Sequence, residues 1–213
     1  MKKWVASITA VLAFSCTPGW LSMMTSVQDD FKEGELLYRN DNYAGAVQKL
    51  TRGIDNIPVA EKMYLDSSGT LTAESRPRWE GLKSDGLLYV RSIRGHSYLN
   101  LKQYDQAKND ANWVITTYNK NKCVREEDKK ICETAVETAV FVRGQIYHEA
   151  SDYKRAIRDY DWIVRNGKVF LSEAHENRGR ACLGTGDFKE AYESFSELLK
   201  RSPSHAQAYA LRC

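Results

Sequence analysis

The chain has 213 residues, 42% of them hydrophobic and 28% charged, with only 4 prolines and 13 glycines. This is ordinary globular composition, so disorder is not the default reading, and the few prolines and glycines leave room for long helices. Lys and Arg number 31 against 28 Asp and Glu, a net charge of +3 that falls to +1 once Lys2 and Lys3 of the leader are set aside. So neutral a chain lacks the basic footprint of a DNA- or RNA-binding protein, and no nucleic-acid partner is expected.

Lys2 and Lys3 are followed by an apolar run from Trp4 to Phe14, and then by Ser15 and Cys16. A run this short does not span a bilayer, which takes about 20 apolar residues. With its positive start and the small residues Ala13 and Ser15, it predicts an export signal over 1–15 that suits ordinary signal peptidase. Leu12-Ala13-Phe14-Ser15-Cys16 also resembles the lipobox of bacterial lipoproteins, with Ala13 where a branched aliphatic residue is usual. That resemblance implies lipidation at Cys16, and Thr17 in place of an aspartate implies the outer membrane. The expectation is an exported, periplasmic protein that meets a membrane only through Cys16, with a tether over 16–26.

Beyond the tether the chain repeats itself. Four glycines, Gly34, Gly95, Gly144 and Gly179, each precede an alanine by twelve residues: Ala46, Ala107, Ala156 and Ala191. An aromatic stands nine after each glycine (Tyr43, Tyr104, Tyr153, Phe188), and Leu37, Tyr98, Tyr147 or Cys182 stands three after it. Four after each alanine comes Leu50, Ala111, Tyr160 or Phe195, and seven after it Gly53, Val114, Ile163 or Leu198. Two helices of a hairpin approach closely only where side chains are small, which explains the Gly on a first helix A and the Ala on a second helix B. The pattern resembles the tetratricopeptide repeat, a helix–turn–helix unit of about 34 residues. The resemblance implies an all-α solenoid over 27–213 with repeats at 27–58, 88–118, 137–167 and 172–203. Each hairpin buries its apolar face only by stacking on its neighbours.

Two insertions interrupt the period, at 59–86 and 119–133, and Pro58 and Pro203 close the first and fourth units. Setting aside Cys16 leaves four cysteines, and export permits disulfides. Cys123 and Cys132 in the second insertion are the candidate pair. They do not suggest a metal site, because their spacing is wrong for a zinc knuckle and no histidine pair accompanies them. Residues 204–213 predict a capping helix or the start of a fifth repeat.

Catalytic signatures are missing: none of His96, His148, His175 and His205 sits in an H-E-x-x-H arrangement, and neither a nucleophile elbow nor a phosphate-binding loop is present. No enzyme activity, metal or cofactor is expected. The resemblance implies instead that helix A lines a concave groove for a protein or peptide partner. Helical spacing around each glycine selects its outward residues: Phe31, Glu35 and Tyr38; Ser92, His96 and Leu99; Phe141, Gln145 and His148; Glu176, Arg180 and Leu183. This set, with Glu173 and Asn177, does not match the basic carboxylate clamp of chaperone-adaptor repeats. In layout the chain resembles repeat lipoproteins that assist envelope assembly, such as outer-membrane insertion, pili or secretion machines. A eukaryotic lumenal co-chaperone, a self-assembling array and an enzyme or carrier using the insertions are the rival readings, and the oligomeric state stays open.

Overall fold

A computed structural model of the chain describes residues 18–68, 82–123 and 126–212. The expected leader over 1–15, Cys16, the middle of the first insertion and Cys213 lie outside the described residues. In chain order the elements are α1 (Pro18–Arg39), α2 (Tyr43–Ser68), a π-helical turn (Leu82–Gly86), α3 (Leu87–Asn100), α4 (Tyr104–Asn121), a 3-10 turn (Glu126–Asp128), α5 (Lys129–Glu149), α6 (Tyr153–Asn166), α7 (Leu171–Thr185), α8 (Phe188–Arg201) and α9 (Ala206–Arg212). The described residues contain no strand. The architecture is the all-α repeat solenoid: hairpins α1–α2, α3–α4, α5–α6 and α7–α8, each packed on the next and closed by the short α9.

Local chemistry makes each hairpin. Seven residues after each repeat glycine the chain takes a left-handed conformation, at Asp41, Lys102, Ser151 and Gly186. This residue turns helix A back towards helix B, and only the fourth unit uses the glycine that favours it. Helix B then starts at the aromatic. Asn42, Asp152 and Asp187 cap it by accepting a hydrogen bond from the backbone N–H three residues on, in Gly45, Arg155 and Glu190.

Close approach at the glycines sets the spacing of the two helices. A Cβ added at Gly34 would lie 2.6 Å from Leu50, one at Gly144 2.9 Å from the Tyr160 ring, and one at Gly179 2.7 Å from the Phe195 ring. Each obstacle is the residue four after the repeat alanine, and Leu50, Tyr160 and Phe195 are all fully buried. In the second unit that place holds Ala111, and a Cβ at Gly95 would meet nothing nearer than the Asp110 Cβ at 3.2 Å.

Beside the notch the helices are clasped by charge. The residue before the glycine meets the residue three after the alanine. Arg94 donates from Nε and Nη2 to the two oxygens of Asp110, both at 2.7 Å. Arg143 grips Asp159 in the same way at 2.8 and 2.7 Å. Arg178 donates to Ser194 at 2.5 Å and also binds Asp161 and Glu190. The first unit reverses the signs, with Lys49 paired to Glu33 at 2.6 Å. Asp110 and Asp159 are buried, and a buried carboxylate is tolerated because both its oxygens are satisfied.

The structure revises several expected boundaries. The tether over 16–26 is largely helix: α1 begins at Pro18, and Met24 is fully buried. Proline is compatible with a first helical turn, where its missing N–H is an orphan anyway. Pro58 does not close the first unit but lies inside α2, which runs ten residues further. Ile57, Ala60 and Tyr64 are buried around it, in one cluster with Val90 and Ile93 of α3, and this packing offsets the lost backbone bond. The second insertion lengthens helix A of the third unit back to Lys129 and is stapled by a disulfide between Cys123 and Cys132, with Cα atoms 6.1 Å apart. The capping helix is α9, whose Ala208 is buried against the α8 cluster of Phe195, Leu198 and Leu199. Among the described residues no helix is long and apolar enough to cross a membrane.

The notch geometry predicts unequal responses to one added methyl. Gly144→Ala and Gly179→Ala are expected to lower stability by about 1–3 kcal/mol through overpacking. Gly95→Ala should stay within about 1 kcal/mol of wild type, because its mild crowding is offset by better helix propensity. Urea denaturation of the three variants checks this ranking.

Candidate protein-binding groove

The helix A segments α1, α3, α5 and α7 carry the twelve residues selected from the sequence. Glu35, Tyr38, His96, Leu99, Gln145, His148, Glu176, Arg180 and Leu183 are half-buried, as groove walls are. Phe31, Ser92 and Phe141 are buried at 5%, 1% and 5% exposure, so the expectation that they face outward is corrected. Phe31 lies over Gly53 of α2, where a Cβ would strike its ring. Ser92 spends its hydroxyl on the backbone carbonyl of Tyr89, 2.7 Å away. Phe141 is covered by Phe170, stacked at 4.5 Å with 9° between the ring planes.

A row of rings crosses the units. Tyr38 contacts the edge of Tyr43, and its hydroxyl lies 2.7 Å from His96 Nδ1. His96 in turn meets both Phe141 and Phe170 edge-on, with centroids 6.3 and 6.2 Å away. Such edge-to-face contacts favour a fixed arrangement over a sliding one. The row therefore ties α1, α3, α5 and the start of α7 together.

Polar groups flank it. Glu35 accepts hydrogen bonds from Arg39 at 2.5 Å and from the Tyr89 hydroxyl at 2.9 Å. Burial, reinforced by Glu35, pushes the Tyr89 phenol up, so it stays a donor. In the fourth unit Arg180 binds Glu176 at 2.7 Å, and Glu176 also lies 3.4 Å from His205 of the segment leading into α9. The buried Nε of Arg180 and Nδ1 of His148 have no hydrogen-bond partner among the described residues.

Three residues that matter here were not selected from the sequence: Phe170, Tyr89 and Glu137. Glu137 of α5 is buried, and its carboxylate accepts the backbone N–H groups of Lys168, Val169 and Phe170 at 2.7–2.8 Å. Hydrogen bonds to an ionised acceptor are the stronger kind. They fix the turn into α7 and hold Phe170 on Phe141. A Cβ at Gly167 would crowd the same carboxylate at 2.7 Å. Glu137 also forms part of the wall of a cavity of about 680 Å3 lined by Tyr118, Lys129, Lys130, Glu133 and Trp162, which belongs in part to the second insertion.

Comparison with known families agrees with this geometry. Residues 139–211 match the tetratricopeptide repeat. The matched span runs from the middle of α5 into α9, and the two preceding hairpins carry the glycine, the left-handed turn and a charge clasp at the same offsets, with Ala111 at the second unit's notch and the clasp reversed in the first. A tetratricopeptide match supports a protein-interaction scaffold. No curated protein matches the chain.

The histidines give the fold a pH dependence. Burial holds His96, His148 and His175 below the usual histidine range; nearby Arg180 adds to the effect at His148, as Arg201 and Arg178 do at His175. A histidine lowered in the folded state binds fewer protons than in the unfolded chain below about pH 6.5. Stability is therefore present above that pH and is lost as pH falls through it, by at most about 1.4 kcal/mol per pH unit for each histidine. Urea midpoints at pH 7.5, 6.5 and 5.5 should decline in that order, and the decline should shrink in His96→Phe.

Proposed function

We propose that the protein is an exported scaffold that binds a protein or peptide segment along its helix A groove and serves assembly of envelope machinery. The observation that carries the binding reading is the ring row Tyr38–His96–Phe141–Phe170, which links one residue each of α1, α3 and α5 to the residue that precedes α7, forming one preorganised floor with polar groups on its flanks. A rigid floor reduces the ordering cost of capturing an extended or helical segment. Glu35, Arg39, Glu176 and Arg180 offer charge of both signs at the two ends, which suits a partner with apolar anchors and a few polar groups.

The leader Lys2 to Ser15 and the lipobox-like Cys16 support export and a lipid anchor. The Cys123–Cys132 disulfide is in keeping with an oxidising compartment. Outer-membrane insertion, pili and secretion machines are the processes in view. The cavity beside the second insertion is a second candidate surface, because Tyr118 and Trp162 give it aromatic walls and exposed lysines ring it.

The test expresses the chain with its own leader and recovers it, cross-linked to its partners, from the envelope fraction. Wild type is compared with a groove variant (Arg39→Glu, Gln145→Lys, Arg180→Glu) and a cavity variant (Lys129→Glu, Lys130→Glu). The expected result is a discrete partner that is retained by the cavity variant and lost by the groove variant. Loss in the cavity variant alone moves binding to the insertion. A chain that never reaches the envelope contradicts the export reading.

A further inference from the structure

Asp85 lies in the π-helical turn before α3 and is fully buried, where an ionisable carboxylate needs strong compensation. It faces the cysteines of the second insertion. One carboxylate oxygen of Asp85 and the sulfurs of Cys123 and Cys132 all lie within 4.8 Å of one another. Three chain segments meet there: the turn before α3, the end of α4 and the first turns of α5. Cys132 is buried and Cys123 half-buried, so of the two sulfur ligands Cys123 belongs to the more exposed residue. Asp85 makes a further interaction as well, and a carboxylate has two oxygens with which to serve both.

We propose that reduction of the Cys123–Cys132 disulfide turns this cluster into a binding site for a thiophilic divalent cation of the zinc type. The reductant is a dithiol. Its two electrons and two protons break the S–S bond and leave two cysteine thiols, while its own sulfurs close into a disulfide. The cation then displaces both thiol protons to solvent and is held by the two thiolates and the Asp85 carboxylate. Two thiolates and one carboxylate select zinc over magnesium or calcium, which prefer all-oxygen sites. Three protein ligands leave a fourth position to water. The same sulfurs serve both states, so the disulfide and the cation exclude each other. In either state α4 stays joined to α5, and the cation adds the turn before α3. Two nearby cysteines alone carried no such signal, since the third ligand comes from a residue far upstream. The inference stands apart from groove binding and survives or fails independently of it.

The test uses the full chain with Cys16, Cys182 and Cys213 changed to Ser, so that only this pair of thiols remains. Protein reduced by a dithiol, then freed of it without air, is titrated with Co2+ and afterwards with Zn2+. The expected result is a thiolate-to-cobalt charge-transfer absorption in the reduced protein that Zn2+ abolishes, with none in the oxidised protein. Asp85→Ala should weaken Co2+ binding by at least about tenfold, since losing even an outer-shell partner costs about 10–100-fold. Asp85→Asn, which keeps the size of the side chain, should weaken it too if Asp85→Ala fails to fold. Absence of the band in reduced protein overturns the proposal, as does a band that survives Cys132→Ser or an affinity indifferent to both Asp85 variants.

Discussion

The closeness of helix A to helix B at four glycines is the constraint on which the rest of the fold depends. At Gly34, Gly144 and Gly179 the partner helix presents a large side chain where a methyl group would have to go. Leu50, Tyr160 and Phe195, seated against these glycines, are fully buried. The charge clasps lie one residue from the notch on both helices. A buried ion pair is a poor source of net stability, but it penalises a shifted register, because a slip leaves a buried carboxylate unpaired. Glu33 and Lys49 use the opposite polarity, so the first hairpin differs electrostatically from the rest.

Stacking converts these hairpins into a surface. The buried cluster of α1, α2 and α3 continues into that of α3 to α7, and α9 covers the end beyond α8. Because the helices are held in fixed register, helix A positions from different units come into ring contact as one row. Its last member depends on an added device: Glu137 collects three backbone amides and sets Phe170 in place. Within the ring row Phe141 is closed off by packing, while Tyr38, His96 and Phe170 stay half-buried.

The hairpins were legible because their determinants are local and periodic. Gly, Ala and the aromatic recur at constant offsets, and they located every helix A–helix B turn. The clasp also sits at constant offsets, before the glycine and three after the alanine, but its residue types change from Glu33–Lys49 to Arg94–Asp110 to Arg178–Ser194, so no constant residue marks it in the sequence. Boundaries failed where tertiary packing overrode a local stop signal, as at Pro58, whose neighbours Ile57 and Ala60 are buried. Groove exposure failed for a different reason. Phe31, Ser92 and Phe141 do sit at the predicted helical positions, but what covers Phe31 and Phe141 is Gly53 and Phe170, and Phe170 belongs to no repeat offset. Asp85 beside the disulfide is likewise a meeting of distant segments that no spacing rule reports.

A double-mutant cycle between Gly144 and Tyr160 tests the central constraint most directly, since Tyr160→Ala recreates the Gly95–Ala111 notch of the second unit. If the ring is what forbids a side chain at 144, Gly144→Ala should destabilise the wild-type background yet be neutral or stabilising in Tyr160→Ala, with a coupling of at least about 1 kcal/mol. Additive effects, with Gly144→Ala equally costly in both backgrounds, would contradict the account.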